Sequence, residues 1–167
     1  MGLLWLLRFF SPLYAENDLR LDKYFAETDE KGFRKNKKAG SNNYLCTFRV
    51  GEIYLTAAEA AARLGELSQA RTRLLELMRK RYAPEAYEAK SVVVNAMDKE
   101  ALVQEILDER ARELAFEGHR WFDLRRSTRP RLEKVLDGTR YVLEENDARY
   151  TLAIPKEAIE ANPGLLN

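Results

Sequence analysis

Between Arg49 and Arg126 the apolar residues recur every three or four positions, the period of a helix face, and outside that stretch the period is lost. The first run, Val50 to Leu64, predicts a helix that stops at Gly65, a residue suited to a left-handed cap. A second helix is expected to start after Ser68 as N-cap and to run to about Arg81, ahead of Pro84. The stretch Val92 to Met97, "VVVNAM", reads as a strand or as a loop pressed onto the core. Asp98 is the expected N-cap of a third helix that continues to Gly118.

In the first two helices Tyr54, Ala57, Ala58 and Ala61 line one face, and Ala70, Leu74 and Leu77 line the other. Small residues on the first helix let the second approach, and the large ones fill the remaining gap. This is the spacing of a tetratricopeptide pair, with Tyr54 in the Trp place and Leu74 in the Phe place; Ala58 and Ala61 replace the usual Gly and Tyr. One such pair cannot bury its own apolar face, so neighbouring helices are required. Residues 1–48 are punctuated by turn signals at Ser11-Pro12, Asn17-Asp18, Gly32, Gly40 and Asn42-Asn43. After Pro130, "RYVL" and "YTLAI" flank "EENDAR" and suggest a hairpin, and the tail offers one short helical turn between two prolines. The expected fold is all-α: a tetratricopeptide-like helical repeat with long loops and a small C-terminal β-hairpin. It forms one domain over 1–167, loop-rich to 48, helical over 49–129, with hairpin and tail over 130–167.

The third helix carries an unusual stripe. At ~100° per residue, Leu102, Ile106, Glu109, Glu113, Phe116, Glu117 and Arg120 share one face, which begins apolar and turns acidic midway. Glu105, Glu109, Glu113 and Glu117 stand four apart, and like charges at that spacing repel unless cations intervene. Arg110, Arg112, Arg120, Arg125 and Arg126 are near in sequence, with Arg110 and Arg120 the first choice as donors to Glu109, Glu113 and Glu117. The stretch therefore reads as an internally paired structural cluster of Glu109, Arg110, Glu113, Glu117, Arg120, Asp123 and Arg126.

Chemical alternatives fit the same residues less well. A glycosidase pair needs one carboxyl with a raised pKa, whereas arginines crowd every candidate glutamate and lower it. A di-iron site wants Glu-x-x-His, but Phe116 stands three before His119, the single histidine. An anion clamp of Arg120, Arg125 and Arg126 is neutralised by Asp123 and the glutamates. No phosphate loop or nucleophile elbow occurs, so neither an enzyme nor a cofactor is expected.

Composition narrows the classes further. Charged residues make up 33% of the chain yet leave a net charge of +1, so no field favours nucleic acid or an anionic membrane. The densest basic run, Lys31 to Lys38, lies among Gly, Asn and Ser and reads as a solvated loop. The single cysteine, Cys46, excludes an internal disulfide and a cysteine-based zinc cluster. "MGLLWLLRFFSPLYA" has an apolar run like that of a signal peptide, but Arg8 splits it and no basic region precedes it. The reading is a chain that begins inside a larger protein. Leu3 to Phe10, with Trp5, Phe9 and Phe10, has no core of its own and is expected to self-associate or to pack beside the first two helices.

Three segments carry a family resemblance. In "RVGEIYLTAAEAAARLGEL", Arg49, Glu52, Tyr54, Leu55, Ala58, Glu59 and Ala60 follow the pattern Arg-x-x-Glu-x-Tyr-Leu-x-x-Ala-Glu-Ala. In "LDERARELAFEGHRWFDLRR", the residues Glu109, Arg110, Glu113, Leu114, Phe116, Glu117, Gly118, Arg120, Asp123, Leu124 and Arg126 fall in order on a longer one. "NDLRLDKYF" and the closing "ANPGLLN" add shorter matches, the last altered from Gln-Asn-Pro-Gly-Tyr. The chain resembles the C-terminal region of the SusD/RagB family, nutrient-binding proteins of Bacteroidetes.

The resemblance implies tetratricopeptide-like helical units, in agreement with the spacing. It implies a place at the cell outer membrane, facing outward, as the lid of a TonB-dependent SusC-like transporter. The implied ligand is an oligo- or polysaccharide, captured without catalysis. The alternative is a tetratricopeptide-type interaction scaffold that docks to the transporter and binds no sugar itself. Trp121, beside Phe122 and three before Leu124, is expected to pack. The glycan-stacking candidates are the loop tyrosines Tyr44, Tyr82 and Tyr87.

Overall fold

The computed structural model describes residues 13–15, 17–30, 34–38, 49–136, 138–162 and 164. Cys46, Tyr44 and the Leu3–Phe10 run lie outside them. The chain divides into two compact units, Met1–Arg120 and Trp121–Asn167.

The first unit opens with a short helix, α1 (Arg20–Tyr24), that feeds an antiparallel pair, β1 (Phe25–Thr28) and β2 (Arg34–Asn36). The region expected to be loop-rich thus holds regular structure, and Arg34–Asn36 of the basic run is a strand rather than solvated loop. Four helices follow: α2 (Val50–Leu64), α3 (Leu67–Met78), α4 (Pro84–Ala96) and α5 (Lys99–Glu113). Leu55, Ala58, Ala61 and Ala62 of α2 meet Ala70, Leu74, Leu77 and Met78 of α3, and Leu102 and Ile106 of α5 close the same core. Ala58, Ala62 and Ala70 are fully buried, as helices in close approach require. The fold is the expected tetratricopeptide-like helical one.

Gly65 has φ 87°, and its N–H returns to the last carbonyls of α2. The N–H of Glu66 then bonds Ala61 O at 2.9 Å, so α3 starts at Leu67 and Ser68 lies inside its first turn instead of capping it. The α3 helix ends at Met78, short of Arg81, and residues 79–83 form a turn into Pro84. Val92 to Met97 is neither strand nor loop. Pro84 at N1 starts a helix that runs through the valines, and of the three only Val94 is buried. Strand propensity is settled by packing, and here one helical position in the run finds the core. Asp98 caps α5 as expected, its side chain accepting from Ala101 N at 2.8 Å.

The third helix stops at Glu113, five residues before Gly118. Phe116 adopts φ 66° and Gly118 φ 83°, both left-handed. That turn brings the Phe116 ring edge-on to Phe25 at 5.7 Å, beside a small second core of Tyr14, Phe25 and Ala115. The next helix is α6 (His119–Arg126).

In the second unit β3 (Leu132–Leu136) pairs antiparallel with β4 (Thr139–Leu143), Leu136 opposite Thr139. The hairpin expected between "RYVL" and "YTLAI" is therefore displaced towards the N-terminus. Asp147 accepts from Arg149 N at 2.8 Å and winds Ala148–Tyr150 into a 3-10 turn, which removes Tyr150 from any strand. Trp121 stacks on the buried Tyr150 (5.2 Å, 11°), whose hydroxyl donates to Pro130 O. One short helix, α7 (Lys156–Ala161), follows.

Gly51, in the first turn of α2, has no room for a side chain: a Cβ there would stand 2.8 Å from Glu113 Oε1 and 3.2 Å from its Cγ. Gly51→Ala should therefore destabilise the chain by about 1–3 kcal/mol, although alanine is the better helix former. Urea denaturation gives the comparison; an equal or raised midpoint would contradict the tight approach.

Candidate functional site

The site is built on the acidic end of the α5 stripe. Glu109 and Glu113 are both 0% exposed, one turn apart on the face that continues from Leu102 and Ile106. Four arginines from four places in the chain converge on them. Arg20 reaches them from α1, donating through Nη1 to Glu109 Oε1 at 2.8 Å and Glu113 Oε2 at 3.2 Å. Its Nε and Nη2 hold Asp18 at 2.9 and 2.7 Å in a two-point clasp, so the guanidinium is occupied on every side. Arg81, in the turn after α3, clasps Glu113 in the same way at 2.8 and 2.9 Å. Arg49, just before α2, donates to Glu113 Oε1 and to Glu117. On α5 itself Arg112 bonds Glu109 Oε2 at 2.8 Å and Glu105 Oε1 at 2.6 Å.

Backbone pairing sets these side chains in place. Leu19 N–H bonds Arg81 O at 2.9 Å and Ala83 N–H bonds Asn17 O at 3.1 Å, which ties the segment before α1 to the turn between α3 and α4. Tyr82 sits within that turn, 2% exposed, donating to Glu109 Oε2 at 3.0 Å and accepting from Arg20 Nη2 at 3.0 Å. Lys38 Nζ covers the end of α5, donating to the carbonyls of Glu113 and Ala115 and pairing with Glu117. Cations at a helix C-terminus satisfy its orphan carbonyls and its dipole together.

Electrostatics follow from this packing. Burial alone would raise the pKa of Glu109, but Arg20 and Arg112 outweigh it and hold the carboxyl below the usual range. Burial acts the same way on Glu113, and Arg81, Arg20 and Arg49 reverse it. Burial pushes the Lys38 ammonium down to about 8 against the opposing pull of Glu117. Tyr82 is pushed well up, first by burial and then by the Glu109 charge. Both buried glutamates are thus fixed acceptors, Glu109 with three side-chain donors and Glu113 with four among the described residues. Such carboxylates orient and brace. Neither is placed to give up a proton near neutral pH.

The described donors to Glu109 and Glu113 come chiefly from Arg20, Arg49 and Arg81, far away in sequence, with Arg112 the local contributor. Arg110, a first choice from spacing, donates to Thr56 Oγ1 at 3.2 Å. Asp123 pairs with Arg126 at 2.7 Å within the second unit. Tyr82 is corrected from stacking candidate to a member of the buried cluster, since its ring has no exposed face. Tyr87 is half-buried and lines an open groove with Arg79, Tyr82, Pro84 and Glu88. Asp18, Arg20 and Arg81 were missed as site residues. For Asp18 and Arg20 the signal was the Asn17-Asp18-x-Arg20 segment, which the resemblance covered but periodicity did not reach.

Comparison with known proteins agrees with this architecture. The profile of the SusD family matches residues 13–167, and the chain belongs to that family. It is 31% identical over 120 residues to SusD-like protein P38 of Formosa agariphila, an alignment spanning 71% of this chain and 22% of that protein. A SusD-like carbohydrate binding protein from Bacteroides vulgatus has the same fold at a TM-score of 0.62 and 20% identity, over 93% of this chain and 40% of that one. The chain thus spans well under half the length of these relatives.

Glu113→Gln should cost roughly 3–5 kcal/mol, because it removes a buried charge and strands three guanidinium groups around it. A thermal melt that leaves the midpoint unchanged would rule out this bracing role. The pH dependence has a definite sign. Both folded-state carboxyls lie below their unfolded values, so their contribution is complete above about pH 4.3 and is lost as pH falls through the folded values. Acid titration followed by circular dichroism should show this loss in the parent chain and a flatter acid limb in Glu113→Gln.

Proposed function

We propose that the chain is the C-terminal helical part of a non-catalytic glycan- or nutrient-binding protein of a SusC/SusD-like outer-membrane uptake system. Membership of the SusD family over residues 13–167 is the observation that carries this reading, and a fold neighbour is a carbohydrate binding protein. The buried carboxylates support its non-catalytic side, since arginines hold Glu109 and Glu113 ionised and enclosed. No helix among the described residues is long and apolar enough to cross a membrane. The partner in this reading is a TonB-dependent SusC-like transporter.

A second reading has its own support. Val50, Ile53 and Leu64 on α2, and Val92 and Val93 on α4, are exposed large apolar side chains on helices of a repeat-type fold. Such arrays use outer faces for further repeats or partners. In that reading the chain is a scaffold docked to the transporter and binds no sugar itself.

Incubation with fluorescently labelled oligosaccharides separates these ideas. Retention of the label by the chain with no shortened product is the expected result. Product formation would overturn the non-catalytic reading. Capture of the transporter without any retained sugar would favour the scaffold.

A further inference from the structure

The groove where α3 gives way to α4 has a volume of about 460 Å³ and is lined by Arg79, Tyr82, Pro84, Tyr87 and Glu88. That volume falls inside the ~300–1,000 Å³ of small-ligand clefts. The buried charge cluster engages only one member of the lining, Tyr82, at its floor. We infer that this groove is a saccharide subsite, taking one or two units of a neutral oligosaccharide against Tyr87 and Pro84 with Arg79 and Glu88 as hydrogen-bonding partners. The inference rests on the glycan-binding reading above and assigns it a place.

The lining chemistry selects the ligand class. Tyr87 and Pro84 supply ring surfaces for the C–H face of a pyranose, and Tyr87 is half-buried, packed against the core while it lines the groove. Arg79 and Glu88 are exposed, and neither side chain has a hydrogen-bond or ion-pair partner among the described residues. In a chain whose buried charges are so thoroughly paired, one unengaged donor fork and one unengaged acceptor face the same groove. A phosphate or an acidic sugar would be drawn by Arg79 and repelled by Glu88. An apolar ligand would desolvate both charges with no return. A vicinal diol is both donor and acceptor and satisfies the two together.

The groove is also preformed. Its backbone is the turn pinned by the Leu19–Arg81 and Ala83–Asn17 hydrogen bonds, and its floor, Tyr82, is fixed by Glu109 and Arg20. Lys90 Nζ lies 4.8 Å from the Tyr82 ring centroid and leaves the Tyr87 ring as the platform. A rigid site loses little ordering entropy on binding, which suits a ligand whose individual contacts are weak.

The test is calorimetric titration of the full chain with neutral gluco-, xylo- and manno-hexasaccharides and with an acidic oligogalacturonide, repeated on Tyr87→Ala, Arg79→Ala and Glu88→Gln. Circular dichroism checks that each variant keeps its helices. The expected result is binding of at least one neutral hexasaccharide and a loss of affinity of about tenfold or more in Tyr87→Ala, the change that ~1.4 kcal/mol produces. The Arg79 and Glu88 variants should weaken the same ligand. Unchanged affinity in all three would overturn the subsite while leaving glycan binding by the chain intact. Binding of the acidic sugar alone would overturn the neutral-ligand assignment. No binding of any sugar would remove both the subsite and the glycan-binding reading for this chain.

Discussion

The carboxylate of Glu113 is the point at which the first unit is joined. Arg20 arrives from the first turn of α1, Arg49 from the residue ahead of α2, and Arg81 from the turn between α3 and α4. The three are distant in sequence, and their guanidinium groups share one enclosed anion. Five carboxylates (Asp18, Glu105, Glu109, Glu113, Glu117) stand in this network against five cations (Arg20, Lys38, Arg49, Arg81, Arg112), so it closes neutral. An ion removed from water is costly unless its partners replace the hydration, and here almost every lone pair and N–H has a protein partner. Hydrophobic burial brings α2, α3 and α5 together, and the cluster dictates the register in which the irregular segments join them.

That division of labour explains what could be read in advance. The helix pair was legible because Ala58, Ala61, Ala70, Leu74 and Leu77 repeat with the helical period and local spacing determines their face. The acidic stripe was legible for the same reason, and so was the need for its carboxylates to be paired. The identity of the partners was not. Arg20 and Arg81 reach α5 through turns whose geometry no periodicity encodes, and spacing favoured the nearer Arg110 and Arg120. Tyr82 was misplaced for a related cause: a tyrosine beside Pro84 looks like a loop residue, yet an isolated antiparallel bridge between Asp18 and Tyr82 draws it inside.

Errors of element type have local explanations. Three valines in a row suggested a strand, but Pro84 had already set a helical first turn and only Val94 was needed inside. Asp137-Gly138 is a strong two-residue hairpin signal, and it lay between "LEKVL" and "TRYVL" in plain sequence. The longer "EENDAR" segment is no hairpin turn, because its Asp147 caps a 3-10 turn instead. The early end of α5 is of another kind. Phe116 in a left-handed conformation is unfavourable by itself, and its aromatic contact with Phe25 exists only in the assembled unit.

Lys38 and Arg49 both reach Glu117 and the carbonyl of Glu113, so the chain is clamped on one spot before residue 39 and again after residue 48. One acceptor thus anchors two separate stretches of backbone, so a change at Glu117 is felt at both together rather than at either alone.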